Sequence, residues 1–129
     1  MIEDNDADVF LIREALETAG IDADLTVIED GDAAIRYFEQ ADASDAVACP
    51  DLILIDINLP KRHGGEVLEY MRATRRCAGL DVLVVTSSDS ARDRQMMASL
   101  GASRYFRKPS DYDEFMTLGE EVRSLLPPR

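Results

Sequence analysis

Apolar positions along the chain fall into two alternating rhythms. Ala7, Val9, Ile12, Leu16 and Ala19 recur at helical spacing and stop at Gly20, which predicts a first helix. Asn5 or Asp6 can cap it, and Asp6 and Asp8 suit the positive end of its dipole. Leu25-Thr26-Val27-Ile28 is short and β-branched, a strand by propensity. Asp30-Gly31-Asp32 then punctuates, and Ala33, Ala34, Ile35, Tyr37 and Phe38 begin a second helix. Ala41 to Ala48 is small and polar, a loop.

The next run, Leu52-Ile53-Leu54-Ile55, is apolar without alternation, as a strand covered on both faces must be. It ends directly in Asp56. The loop Leu59 to Gly65 follows, and Glu66 to Arg76 places Val67, Leu68 and Met71 on one side of a third helix. Asp81-Val82-Leu83-Val84-Val85 is a second doubly buried strand and runs into Thr86. Ser90-Ala91-Arg92-Asp93 has the form of a capping box before a helix carrying Met96, Met97 and Leu100, which Gly101 stops. Ser103 to Phe106 is a last short strand ending at Lys108-Pro109. Ser110 or Asp111 caps a final helix with the stripe Phe115, Leu118, Val122 and Leu125, and a Pro127-Pro128-Arg129 tail closes the chain.

Helix and strand therefore alternate strictly, which implies a parallel sheet with crossover connections: an α/β, doubly wound fold. No linker divides residues 1–129, so one domain is expected. The Met pair and the helix stripes read as core.

Composition narrows the function classes. The net charge of −12, from 26 acidic and 14 basic side chains, argues against direct nucleic-acid binding, which needs a positive footprint. Most of the acids are Asp, and arginine supplies all the cations except Lys61 and Lys108. That balance resembles proteins adapted to high salt, set against the plainer reading of an ordinary acidic protein. No apolar run approaches a membrane span, and Met1-Ile2-Glu3-Asp4 is acidic where a signal peptide is basic, so a cytoplasmic protein is expected. Cys49 and Cys77 have neither metal-ligand nor redox-pair spacing and are expected to be reduced thiols.

The chemistry sits where strands end. Glu3 and Asp4 follow the opening residues, Asp56 ends the central apolar run, Thr86 the next, and Lys108 the last. In a parallel sheet these ends share one edge, where open α/β sheets bind ligands. Oxygen ligands such as Asp4 and Asp56 suit Mg²⁺. A carboxylate beside Mg²⁺ can attack a phosphoryl group and carry it as an acyl phosphate, with an ammonium and a hydroxyl stabilising the transferred oxygens. Asp56, Asp4, Lys108 and Thr86 supply those roles.

Glu3-Asp4-Asn5 leading into a helix, Asp56-Ile57-Asn58-Leu59-Pro60 with Gly64 or Gly65, Thr86 after an apolar strand, and Lys108-Pro109 together resemble the receiver domain of two-component response regulators. The resemblance covers nearly all 129 residues. It implies a five-stranded parallel sheet of flavodoxin-like order 2-1-3-4-5 with five helices. It makes Asp56 the phosphoacceptor and makes Asp4, Glu3 and the Asn58 carbonyl the ligands of Mg²⁺. Thr86 would bond the phosphoryl oxygen and Lys108 would pair with it. A cis peptide is expected before Pro109, and Tyr105 matches the aromatic that moves with the threonine on switching. A histidine kinase or histidine phosphotransfer protein is the implied donor, and the module is a switch rather than an enzyme. Glu3-Asp4-Asn5-x-Ala7-Asp8, Leu59-Pro60-Lys61 and Thr86-Ser87-Ser88 look like the single-domain regulators of bacteriophytochrome-type kinases. Many of those dimerise through the fourth helix, fifth strand and fifth helix.

Two departures stand out. Only Met1-Ile2 precede the acidic pair, too little for a central strand, so further residues are expected upstream. His63 lies in the loop after Asp56, where a lone histidine is expected to be solvated rather than a phosphorelay group. Three rival classes fit these residues less well. An aspartyl-phosphate hydrolase would want a second Asp where Asn58 stands, and a flavin module would want hydroxyls where Glu3-Asp4-Asn5-Asp6 repels phosphate. A receiver-like protein that works by binding alone would not need the full set of site residues.

Overall fold

The computed structural model describes residues 1–127. Leu52–Ile55 forms β1, Asp81–Thr86 forms β2 and Arg104–Arg107 forms β3, all parallel in the order β1-β2-β3. The unbroken apolar runs are explained by alternation across the sheet. Ile53, Ile55, Val82 and Val84 point into a cluster with Phe38 of α2 (Gly31–Ala43), Leu68 of α3 (Gly64–Ala73) and Met97 of α4 (Ala91–Ser99). Leu54, Leu83 and Val85 point the other way. They meet Ile12 of α1 (Asp6–Thr18), Phe115 of α5 (Tyr112–Met116) and Val122 of α6 (Leu118–Leu125). Two cores on one sheet make the fold doubly wound.

The sheet differs from the expected five strands. Among the described residues it has three, extended at the β1 edge by isolated parallel bridges from Ile2 to Ile28 and to Ile55. Ile2 N–H donates to the Leu54 carbonyl at 2.8 Å, and Glu3 N–H to that of Ile28 at 2.9 Å. A ladder needs successive paired residues. Residues 25–28 meet the chain start through single bonds, the Met1 ammonium donating to the Thr26 carbonyl and the Ile28 N–H to the Met1 carbonyl, both at 2.8 Å, so their strand propensity yields one bridge and no ladder.

Local chemistry sets the helix starts. Asn5, Asp30, Ser90 and Asp111 each accept a backbone N–H as N-caps. His63, expected to be solvated, caps α3 by accepting the Gly65 N–H on Nδ1 at 3.0 Å. That helix stops at Ala73, short of Arg76. The predicted last helix is divided into α5 and α6 at Thr117, whose hydroxyl donates to the Glu114 carbonyl and competes with the backbone ladder.

Two further expectations are overturned. Cys49 and Cys77 are joined in a disulfide with Cα atoms 5.7 Å apart, not held as free thiols. Folding the α3–β2 connection against the approach to β1 brings them together, a contact that sequence spacing does not encode. The peptide before Pro109 is trans, because no cis bond occurs among the described residues. The trans chain still turns Lys108 inward, with its N–H on the Thr86 carbonyl at 2.7 Å. Among the described residues no helix is long and apolar enough to cross a membrane. The final two residues of the tail lie outside the described part.

Candidate phosphoacceptor site

β1 delivers Asp56 to the carboxyl edge of the sheet, 8% exposed. Its Oδ1 accepts the Ile57 N–H at 2.6 Å and, more weakly, the Asn58 N–H at 3.4 Å. Its Oδ2 accepts from Lys108 Nζ at 2.9 Å. Behind it, Gly64 N–H donates to the Ile57 carbonyl at 2.7 Å. A Cβ on Gly64 would land on the Asp56 carbonyl oxygen and 2.9 Å from Ile57 Cα, so only glycine lets α3 start this close. Of Gly64 and Gly65, the former is the one fitted against Asp56.

Lys108 is the hub. Its side chain is 8% exposed, and Nζ also donates to Glu3 Oε1 at 2.6 Å and Asp8 Oδ2 at 2.8 Å. Burial alone would lower its pKa, but the bonds to Asp8, Glu3 and Asp56 outweigh it and raise it. Glu3 is 2% exposed and shows the opposite balance. Burial pushes its carboxyl up to about 7 against the pull of the Lys108 bond, and the neighbouring Asp56 charge adds to the rise.

Glu3, Asp4 and Asp56 each offer one oxygen, and the three oxygens lie within 4.8 Å of one another. Two carboxylates at that spacing repel by about 3.5 kcal/mol at an effective dielectric near 20. Lys108 alone does not balance Glu3, Asp4, Asp8 and Asp56. An octahedral Mg²⁺ places its oxygens about 2.9 to 4.2 Å apart, so this donor set fits such an ion after a small contraction. Hard carboxylate oxygens are also the right chemistry for it.

The remaining expected residues take separate places. Asn58 is exposed on the loop, with its backbone N–H directed at Asp56 Oδ1. Thr86 is fully buried at the end of β2, and its Oγ1 accepts the Ser88 N–H at 3.3 Å. Tyr105 lies in β3 on the far side of that loop, half-buried, with its hydroxyl donating to the Ser88 carbonyl at 2.8 Å. Burial raises the phenol's pKa despite that bond and the nearby Arg94. The sequence reading missed Asp8 as a partner of Lys108, because its place in the first turn of α1 was explained by the helix dipole alone. It also missed Ser88, whose backbone links Thr86 to Tyr105.

The family model for the response regulator receiver domain matches residues 1–119. Response regulator Rcp1 of Synechocystis is 31% identical over 124 residues, covering 96% of this chain and 84% of that protein. The crystal structure of the Mn²⁺-bound form of Rcp1 superposes with a TM-score of 0.84 at 30% identity, covering 98% of this chain and 96% of the other. The phosphorylated cyanobacterial phytochrome response regulator RcpA does so at 0.82 and 30% identity, over 97% and 89% of the two chains.

Proposed function

Because this chain belongs to the response regulator receiver family, we propose that it is a phosphorylation-controlled signalling switch with Asp56 as phosphoacceptor. The observation that carries the reading is the Lys108 ammonium on Asp56 Oδ2 at 2.9 Å, beside a cluster of carboxylates that one cation does not neutralise. A carboxylate oxygen of Asp56 attacks the phosphorus of a phosphohistidine on a partner kinase or phosphotransfer protein. The O–P bond forms, the N–P bond breaks, and the histidine nitrogen leaves with the electron pair. Glu3, Asp4, Asp56 and the Asn58 carbonyl would hold Mg²⁺, which supplies charge neutralisation for the transferring oxygens. Lys108 holds the acceptor carboxylate before transfer and pairs with the phosphoryl oxygens after it. Thr86 donates its hydroxyl to a phosphoryl oxygen, and Tyr105, tied to Thr86 through Ser88, repacks in response.

The chain through Met1–Glu3 is the central strand and residues 25–28 the outer one, giving the order 2-1-3-4-5. The surface of α4, β3 and the α5–α6 pair changes its affinity for a partner, a second copy among them, and size-exclusion with and without a phosphoryl mimic tests the dimer. The protein is a cytoplasmic switch without turnover of an external substrate and without direct nucleic-acid contact. Its acidic surface suits high salt, in which case the melting temperature rises between low and molar KCl. The deciding experiment is labelling by an acyl-phosphate donor. Label is expected only with Mg²⁺ and is expected to vanish in Asp56→Asn; undiminished label in that variant sinks the assignment.

A further inference from the structure

The Cys49–Cys77 bond lies toward the opposite end of β1 from Asp56, and its two sulfurs are placed differently. Cys77 is fully buried in the core cluster that holds Met71 and Val82. Four hydrogen bonds fix the turn that bears it. Its N–H donates to Thr74 Oγ1 at 3.3 Å and the Thr74 hydroxyl to the Met71 carbonyl at 2.7 Å, while the Arg75 and Arg76 N–H groups both donate to Asp42 Oδ1, at 2.9 and 3.0 Å. Those bonds outlast a break between the sulfurs. Cys49 is partly exposed in the irregular connection between α2 and β1, where the neighbouring Ala48 carbonyl accepts the Tyr37 hydroxyl at 3.0 Å. One sulfur is therefore set in the core, and the other belongs to a residue that solvent reaches. Disulfides seldom persist in a thiol-rich cytoplasm, and those that do are mostly catalytic or redox-sensing. A cytoplasmic switch with this bond thus calls for a pair that opens and closes without unfolding.

We propose that Cys49–Cys77 is a reversible redox site at which an uncharged or cationic thiol attacks Cys49 and expels Cys77. In the first step an external thiolate bonds to Cys49 Sγ as the S–S bond breaks. Cys77 leaves with the electron pair as a thiolate and takes a proton from water. In the second step another thiolate, the partner sulfur of a dithiol, attacks the external sulfur and releases Cys49 as a thiolate, which is protonated in turn. The protein disulfide gains two electrons and two protons, and the dithiol becomes a disulfide. The reverse sequence restores the link, because the Cys77 turn keeps its place. The groove beside Cys49 sets the class of thiol. Asp22, Asp24 and Asp51 line it, against one cation among its described lining residues, the Met1 ammonium. Such a surface repels an anionic thiol. The chemistry leaves Asp56 untouched and holds whether or not Asp56 accepts a phosphoryl group. Cys49 is then a second place where the chain carries a covalent mark.

The test uses the unaltered chain, oxidised and folded, with 2-mercaptoethanol as a neutral thiol, cysteamine as a cationic one and glutathione as an anionic one. Acid stops each reaction by removing thiolates, and peptide mass mapping locates the mixed disulfide. The adduct is expected on Cys49 in roughly tenfold or greater excess over Cys77, an excess that urea unfolding abolishes. The rate of opening is expected to rise in proportion to thiol concentration. Equal adducts on the two cysteines, or an excess on Cys77, overturn the proposal. So does a rate that ignores thiol concentration, since the sulfurs would then be reached only by unfolding. Charge is read from salt. The glutathione rate relative to that of 2-mercaptoethanol is expected to rise about threefold or more between low and molar KCl, and the cysteamine ratio to fall. Ratios indifferent to salt overturn the assigned class of thiol.

Discussion

Replacing Lys108 with methionine keeps an unbranched stem one atom shorter and removes the ammonium that bonds three of the site's carboxylates. Three charge-assisted hydrogen bonds of 2.6, 2.8 and 2.9 Å are lost at once. Removing one partner of a buried ion pair costs about 3–5 kcal/mol, because the other charge stays buried without compensation. Here the cost is capped. Glu3 already holds its proton up to about pH 7, and without Lys108 it would take up a proton rather than remain buried as an anion. The expected loss is therefore about 3 kcal/mol at pH 8 and about half that at pH 6. The same variant should bind Mg²⁺ tighter, by about tenfold or more, since the ammonium that competes for the same oxygens is gone. Urea unfolding at the two pH values, with and without Mg²⁺, reads both effects. Stability within about 0.5 kcal/mol of the unaltered chain at both pH values, or weaker Mg²⁺ binding, would refute the picture of Lys108 as the cluster's standing counter-ion.

Glu3 has a folded pKa raised from 4.5 to about 7, so its contribution to stability is fully present below pH 4.5 and is lost as pH rises through about 7. The metal-free chain should lose up to about 3 kcal/mol across that window. Glu3→Gln should flatten the profile, and an unchanged slope would count against the burial argument. Gly64→Ala places a methyl against the Asp56 carbonyl and Ile57 Cα; a cost of about 1–3 kcal/mol and slower acyl-phosphate labelling are expected, and normal values of both would show that α3 can retreat. Reducing the Cys49–Cys77 bond, which spans 28 residues, should lower stability by about 3.5 kcal/mol in denaturant titrations, whereas equal midpoints with and without reductant would show that the cross-link contributes nothing.

The doubly buried strands were legible because Leu52–Ile55 and Val82–Val85 have no polar face, and the two cores account for that residue by residue. Caps were legible because they act on neighbours a few residues away, as Asn5, Ser90 and Asp111 do, whereas Asp30 was read only as a break before α2. Strand ends located Asp56, Thr86 and Lys108, but not what they touch. Lys108 bonds Asp8 across 100 residues, and the Asp8 carboxylate had a sufficient local explanation in the helix dipole. The Thr117 break was hidden because the stripe Phe115, Leu118, Val122 continues across it. The disulfide was hidden because the burial of Cys77 beside Cys49 belongs to the tertiary fold, and a cysteine pair at that spacing carries no local mark.

The cross-link also alters the chain's topology. Residues 49 to 77 form a closed covalent ring that contains β1, Asp56, the following loop and α3. Lys61 and Arg62, exposed on the loop after Asp56, are cleavage points for trypsin inside that ring. A cut there opens the ring without releasing a fragment, since the halves remain tied through sulfur. The nicked protein would keep its mass but for one water and would migrate as two pieces only after reduction. Peptide mapping of a label on Asp56 would accordingly find it joined to the Cys77 segment until the sulfurs are separated.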